Sequence, residues 1–185
     1  MTQTINFCGD SFCAHPGDDS WPIILSRLLG YNICGMGKNG TAYEHAIKSF
    51  NPKATATVFC WTEIHRIYHP KISLNMKSVE MYKHCSKIHA AGSEYYKHLH
   101  SFDFDFERKE RDFFWFDEKV LSKYEGKIVH LFCFENAVYP FKYGKVVRTP
   151  LYTLKAGLAA DFPNHMTIEN NKKIAKSIFK LLRNE

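Results

Sequence analysis

TINFCGDSFCAHPGDD, residues 4–19, is the stretch on which the fold turns. An apolar run rich in β-branched and aromatic residues reaches Cys8 and breaks at Gly9-Asp10-Ser11. Nearly continuous apolar character marks a strand covered on both faces, as in a parallel sheet flanked by helices. The following DDSWPIILSRLLG, residues 18–30, reads as a helix, with acidic capping candidates at its start and Gly30 at its end. Gly9-Asp10-Ser11 therefore falls just past the carboxyl end of a strand, where open α/β sheets collect their ligands. Two readings compete for it: a loop that caps the next turn, or a hydroxyl nucleophile held at a strand end.

The same pattern recurs along the chain. Strand-like runs appear at YNIC (31–34), TATVFCW (55–61) and KIVHLFCF (127–134). A weaker run, KVVRTPLYTL (145–154), adds a last short strand in which Pro150 indicates an edge or a bend. Between them lie helical patterns. GTAYEHAIKSFN ends before Pro52, which cannot continue a helix. A long stretch from about Leu74 to Leu99 has helical composition despite Gly92, and ERKERDFFWFDEKVLSKYEG (107–126) makes another helix. TIENNKKIAKSIFKLLRN (167–184) carries Thr167 as N-cap, with Ile168, Ile174, Ala175, Ile178, Phe179, Leu181 and Leu182 at helical spacing. Strands alternating with helices imply βαβ crossovers and a mainly parallel sheet between helical layers. At 185 residues one domain is expected. Residues 68–122 are too many for one crossover and read as a helical insertion or lid.

Composition narrows the function classes. The hydrophobic fraction of 45% and charged fraction of 24% are ordinary for a soluble globular protein. No apolar run approaches the roughly 20 residues of a membrane span, and the start lacks the basic and apolar regions of a secretory signal. A cytoplasmic location is expected. Cys8, Cys34, Cys60 and Cys133 lie in strand-like runs and no CxxC pair occurs, so reduced core thiols are expected. The net charge of +6 comes from scattered lysines, which suits a solvated surface better than nucleic-acid binding. FDFDFERKERDFFWF (102–116) interleaves aromatics with charge, but its acidic residues would repel phosphate. His65 and His69, four apart, could share a helix face as zinc ligands do. No third ligand has recognisable spacing, although His84, Cys85, His89, His98 and His100 are scattered through the insertion, so no metal is expected. GMGKNGT (35–41) lacks the GxxxxGK[ST] of a phosphate loop, and no cofactor is expected.

Three blocks resemble, in order, those of the SGNH (GDSL-type) hydrolase superfamily. FCGDSFC (7–13) is similar to the nucleophile block and GKNGTAYE (37–44) to the second. DFPNHMTIENNKKIAKSI (161–178) is similar to the last block, an Asp and a His before the C-terminal helix. The resemblance implies a flavodoxin-like three-layer α/β/α fold and a serine esterase acting on an acyl or O-acetyl ester of a lipid or sugar. It implies Ser11 as nucleophile, His165 as general base and Asp161 as the group orienting it. A serine hydroxyl is a weak nucleophile until an imidazole takes its proton, and that imidazole needs its other nitrogen held by an acceptor. The backbone N–H groups of Ser11 and Gly40 are the oxyanion donors, Gly40 permitting close approach. Asp10 is expected to tie the loop to its own backbone amides.

Two departures stand beside the resemblance. The family's third block carries an asparagine that donates to the oxyanion, whereas this chain has FCWTEIHR (59–66). Ionised Glu63 can only accept hydrogen bonds. Thr62 is then the donor candidate, with Glu63 paired to Arg66 if the segment turns helically. Glu63 and Arg66 are also candidates for substrate binding, Arg66 toward an anionic group. The Asp161–His165 spacing is one residue longer than the family's. Pro163-Asn164 is a turn signal that can fold the carboxylate back; failing that, a backbone carbonyl would orient His165 in a Ser–His dyad. The alternative is a catalytically weak or inactive SGNH-like binding or structural protein. The compact WT-E-x-x-R and NHMT variants are similar to those of bacteriophage SGNH-like proteins, which would add a virion-associated location.

Overall fold

A computed structural model of the chain describes residues 2–157 and 161–184. Strands β1 (Thr4–Gly9), β2 (Asn32–Gly35), β3 (Ala56–Trp61), β4 (Lys127–Phe132) and β5 (Lys145–Val147) form one sheet. Their order is β2-β1-β3-β4-β5, and every neighbouring pair is parallel. Gly9 lies beside Cys60 and Cys60 beside Leu131, so β1, β3 and β4 end on one rim.

Side chains alternate across the sheet, as the two-residue strand period requires. Ile5, Phe7, Val58, Cys60, Val129 and Leu131 enter one core, closed by α1 (Trp21–Leu29) and α6 (Ile168–Arg183). Cys8, Phe59, Trp61 and Phe132 enter the other, closed by α2 (Tyr43–Lys48) and α5 (Phe102–Lys119). The architecture is the three-layer α/β/α sandwich with a parallel sheet that the strand–helix alternation implies. β3 is buried at all six positions, whereas β2 lies at an edge. Cys34 on β2 is consequently exposed, contrary to its expected place in the core; Cys8, Cys60 and Cys133 are buried, and all six thiols are unbridged.

The insertion departs from the sequence pattern in detail. The single helical stretch expected over 74–99 is two helices, α3 (Met76–Tyr82) and α4 (Lys87–His98). Asn75 caps the first and Ser86 the second by accepting from the amides of Ser78 and Ile88. Gly92 is buried in α4, where a Cβ would stand 2.7 Å from Val79 Cγ1; its bareness lets α3 and α4 meet. α5 starts at Phe102 instead of near Glu107, because Ser101 caps it and Asp103 and Asp105 complement the N-terminal dipole. β5 stops ahead of Pro150, and α6 begins at Thr167 as its capping hydroxyl predicts. Asp18 and Asp19 do not cap α1; the first helical amide, that of Trp21, donates instead to Asn171 Oδ1 at 2.9 Å. Among the described residues no helix is long and apolar enough to cross a membrane.

Candidate active site

The Gly9-Asp10-Ser11 loop is fixed by what lies beneath it. A Cβ on Gly9 would stand 2.5 Å from the Cys60 carbonyl oxygen, so β1 can end beside β3 only with glycine there. Asp10, fully buried, accepts from the Phe12 amide at 3.0 Å and so caps the short 3-10 turn Ser11–Cys13. That is the backbone-tying role expected of it, but it does more. Its other oxygen accepts from Thr62 Oγ1 at 2.5 Å and from Arg66 Nη1 at 3.2 Å. One carboxylate thus joins the chain ends after β1 and β3. Cys133, at the end of β4, adds a thiol 3.5 Å from Asp10 Oδ1. Burial pushes that thiol's pKa up to about 12, so it stays protonated and inert.

Ser11 meets His165 from the far end of the sequence: Ser11 Oγ and His165 Nε2 are 2.7 Å apart. His165 closes a 3-10 turn, Pro163–His165, in which Asn164 and His165 both have positive φ, 52° and 65°. Side-chain hydrogen bonds hold this uncommon backbone in place. Asn164, fully buried, accepts from the His15 amide at 2.9 Å and so binds the histidine turn to the nucleophile loop. Asn171 on α6 donates to the carbonyls of Pro163, Met166 and Thr167 while accepting from the Trp21 amide. Phe12 rests against the imidazole with ring centroids 4.8 Å apart.

The other imidazole nitrogen, Nδ1, lies 3.2 Å from the Gly157 carbonyl oxygen. A carbonyl only accepts, so Nδ1 carries the proton and Nε2 presents its lone pair to the serine hydroxyl, as a general base requires. Asp161, assigned to this position by the resemblance, is exposed. Among the described residues no hydrogen bond or ion pair links it to His165, and the backbone-carbonyl alternative describes the geometry. Burial is the largest cause lowering the pKa of His165; the Lys155 and Arg66 charges add to it, and Gly157 and Asp10 oppose it. The imidazole is thereby kept neutral.

The loop carrying Gly40 lies against the loop carrying Ser11. The amides of Lys38 and Gly37 donate to the carbonyls of Gly9 and Cys13 at 2.9 and 3.3 Å. Gly40 has φ of 70°, and a Cβ there would meet Ser73 Oγ at 2.6 Å. Among the described residues no hydrogen bond takes up the backbone N–H of Ser11 or Gly40. Thr62 is not a free donor, because its single hydroxyl proton is committed to Asp10. Glu63 does face Arg66, with Oε2 3.6 Å from Nε. Arg66 also donates from Nη1 to the Thr41 carbonyl at 3.1 Å, and its guanidinium carbon lies 5.8 Å from the Phe134 ring centre. Among the described residues Nη2 makes no hydrogen bond.

Phe134 also touches Phe12 edge-on at 5.9 Å. It opens onto a cavity of about 430 Å³ lined with Glu135, Asn136, Pro150, Tyr152 and Thr153. A second cavity, between α2 and α5 at Ile47 and Trp115, shares no lining residue with the site. Of the histidines considered as metal ligands, His69 turns to its own loop, accepting from the amides of Lys71 and Ile72. His65 instead meets His100 and Asp105 of the insertion. Asn164 and Asn171 are the positioning residues that sequence reading missed. No family model, curated protein or solved structure matches the chain.

Proposed function

We propose that this chain is a serine hydrolase of the SGNH type that cleaves a carboxylic ester, with Ser11 as nucleophile and His165 as general base. The observation that carries the reading is the 2.7 Å contact between Ser11 Oγ and His165 Nε2 at the carboxyl rim of the sheet. As Oγ attacks the ester carbonyl, Nε2 takes the hydroxyl proton, and the tetrahedral oxyanion faces the N–H groups of Ser11 and Gly40. Arg66 supplies the side-chain donor that Thr62 cannot. The imidazolium then gives its proton to the departing alkoxide, leaving an acyl-serine. Water, deprotonated by His165, attacks that acyl group; the Oγ–acyl bond breaks, His165 returns the proton to Ser11 Oγ, and the carboxylic acid leaves. The Phe134–Tyr152 cavity is suited to a small acyl group, and the substrate is an acyl or O-acetyl ester of a lipid or sugar met in the cytoplasm.

A fluorophosphonate probe tests the nucleophile directly. It should label the native chain and spare Ser11→Ala; equal labelling of both would remove Ser11 from the mechanism.

A second reading, a weak or inactive relative that binds without turnover, is favoured by one observation. Neither Thr62 nor Asp161 stands where the family's chemistry needs it. Hydrolysis of p-nitrophenyl acetate that is lost in both Ser11→Ala and His165→Ala excludes this reading, whereas absence of both turnover and labelling in the native chain favours it. A phage-encoded structural protein would belong to this second case.

A further inference from the structure

The insertion carries a cluster that ester chemistry does not use. His65 lies in the loop after β3, His100 between α4 and α5, and Asp105 in the first turn of α5. His65 Nδ1 and His100 Nε2 each lie 3.0 Å from the same oxygen, Asp105 Oδ2. The three atoms lie within 4.8 Å of one another. The Asp105 side chain is 2% exposed, that of His100 5% and that of His65 14%.

Two features distinguish this arrangement from a plain hydrogen-bonded trio. Both imidazoles aim at one carboxylate oxygen, while the other, Oδ1, makes no hydrogen bond and is left to the Arg108 charge. Hydrogen bonding alone would gain more by using both oxygens; a monodentate carboxylate on a metal converges with its fellow ligands in this way. The spacing is also close to that of a coordination shell. Bonds of about 2.0–2.2 Å in a tetrahedron place ligand atoms about 3.3–3.6 Å apart, so an ion is seated by opening the two 3.0 Å contacts slightly while the imidazole nitrogens, within 4.8 Å of each other, settle to the same spacing. Two imidazoles and a carboxylate form a donor set typical of zinc.

The surroundings allow the charge. Arg108 stands 3.3 Å from Asp105 Oδ1, but its guanidinium also faces Glu44 at 3.8 Å and donates to the Ile64 carbonyl. The Phe102 ring meets both imidazoles edge-on at 4.5 and 4.7 Å, walling one side. His65 and Phe102 together also border a cavity of about 340 Å³ with Glu63, Asn75, Met76 and Lys77, the nearest space for a fourth ligand or water.

We propose that His65, His100 and Asp105 bind one zinc-class divalent ion that ties the helical insertion to the loop bearing Arg66. The test is a calorimetric titration of the full chain, stripped with chelator, with Zn²⁺, alongside absorption of the Co²⁺ form. One ion per chain should bind in the micromolar range or tighter, and Co²⁺ should show the intense visible bands of four-coordination. Affinity should fall at least about tenfold in His100→Ala and stay unchanged in His69→Ala. Zn²⁺ should raise the melting temperature of the native chain and not that of His100→Ala. No uptake by the native chain at about 100 µM Zn²⁺, or equal uptake by His65→Ala and His100→Ala, overturns the proposal. The native-chain arm holds even if a variant fails to fold.

Discussion

A carbonyl in place of a carboxylate changes what His165 can do. The Gly157 oxygen fixes the tautomer as well as a carboxylate would, but it offers a dipole and no full charge to the imidazolium that forms during attack. Burial favours the neutral ring and outweighs the opposing Gly157 contact, so the pKa is lowered from its ordinary 6.5. The sign follows directly. The base is active when unprotonated, so kcat/KM for a short ester should rise with pH, reaching half its plateau below pH 6.5. A pH–rate profile checks it, and a midpoint at or above 6.5 would contradict the lowered pKa. The same geometry predicts that Asp161→Asn leaves kcat/KM within about threefold of native. A carboxylate acting as third member would lose about 10⁴-fold when made neutral. Arg66 is the sharper case. If its free Nη2 meets the oxyanion, Arg66→Lys should lower kcat about 100- to 1000-fold with little change in KM, because the interaction exists only in the transition state. Lysine keeps the charge but not the fork, which holds Asp10 and the Thr41 carbonyl from Nη1 and still has Nη2 to offer. Steady-state kinetics on one ester separates these outcomes.

Between elements, the Ser11–His165 contact depends on α6 more than on the turn that carries His165. Asn171, buried one turn into the helix, makes four hydrogen bonds to the start of α1 and to the carbonyls around His165. Asn171→Ala strips a backbone amide and several carbonyls of partners, so urea unfolding should show a loss of about 2–3 kcal/mol. Turnover should fall as well, since the positive-φ turn loses its support. Asn171→Asp keeps the acceptor for Trp21 but turns a second acceptor toward the three carbonyls, so at neutral pH it should not restore the stability. This support was not legible in the sequence. NNKK reads as the solvated face of an amphipathic helix, and only the fold reveals that one amide of the pair points inward. The meeting of Ser11 with His165 was legible because one lies at a strand end and the other in a pre-helical block, positions that the fold brings to one rim. The division of the insertion into α3 and α4 had a local signal, Asn75 with Ser78 and Ser86 with Lys87-Ile88, that the uniform helical composition obscured. The meeting of His65 with His100 and Asp105 had none, because it depends on how the insertion folds back over the loop after β3.

For the whole molecule, the fold was readable for a physical reason: strands covered on both faces must be apolar at nearly every position, and β1, β3 and β4 are. The price of that burial is legible too, in the one polar side chain β4 sends into the aromatic core. His130 is fully buried, stacked on Phe141 at 3.9 Å and on Phe59 at 5.4 Å. The Trp61 indole donates to its Nδ1 at 3.1 Å, and its Nε2 donates to the Tyr143 carbonyl at 2.9 Å. Both nitrogens are satisfied only while the ring is neutral, since a second proton on Nδ1 would face the indole N–H. Burial accordingly lowers the pKa to about 3. In the unfolded chain the same imidazole titrates near 6.5, so between these values the unfolded state binds a proton that the folded state refuses. The stability is present above pH 6.5 and is lost as pH falls toward 3, at up to about 1.4 kcal/mol per pH unit. From pH 7 to pH 5 this group alone should cost about 2 kcal/mol of unfolding free energy. His130→Gln keeps an acceptor for Trp61 and a donor for Tyr143 but does not titrate. Urea unfolding at the two pH values should therefore show a native pH dependence larger than that of His130→Gln by about 2 kcal/mol, whatever the variant's absolute stability. The buried fractions of His45 and His165 titrate alike in both chains and cancel from the difference. An acid sensitivity that survives unchanged in His130→Gln would place its origin outside the aromatic core.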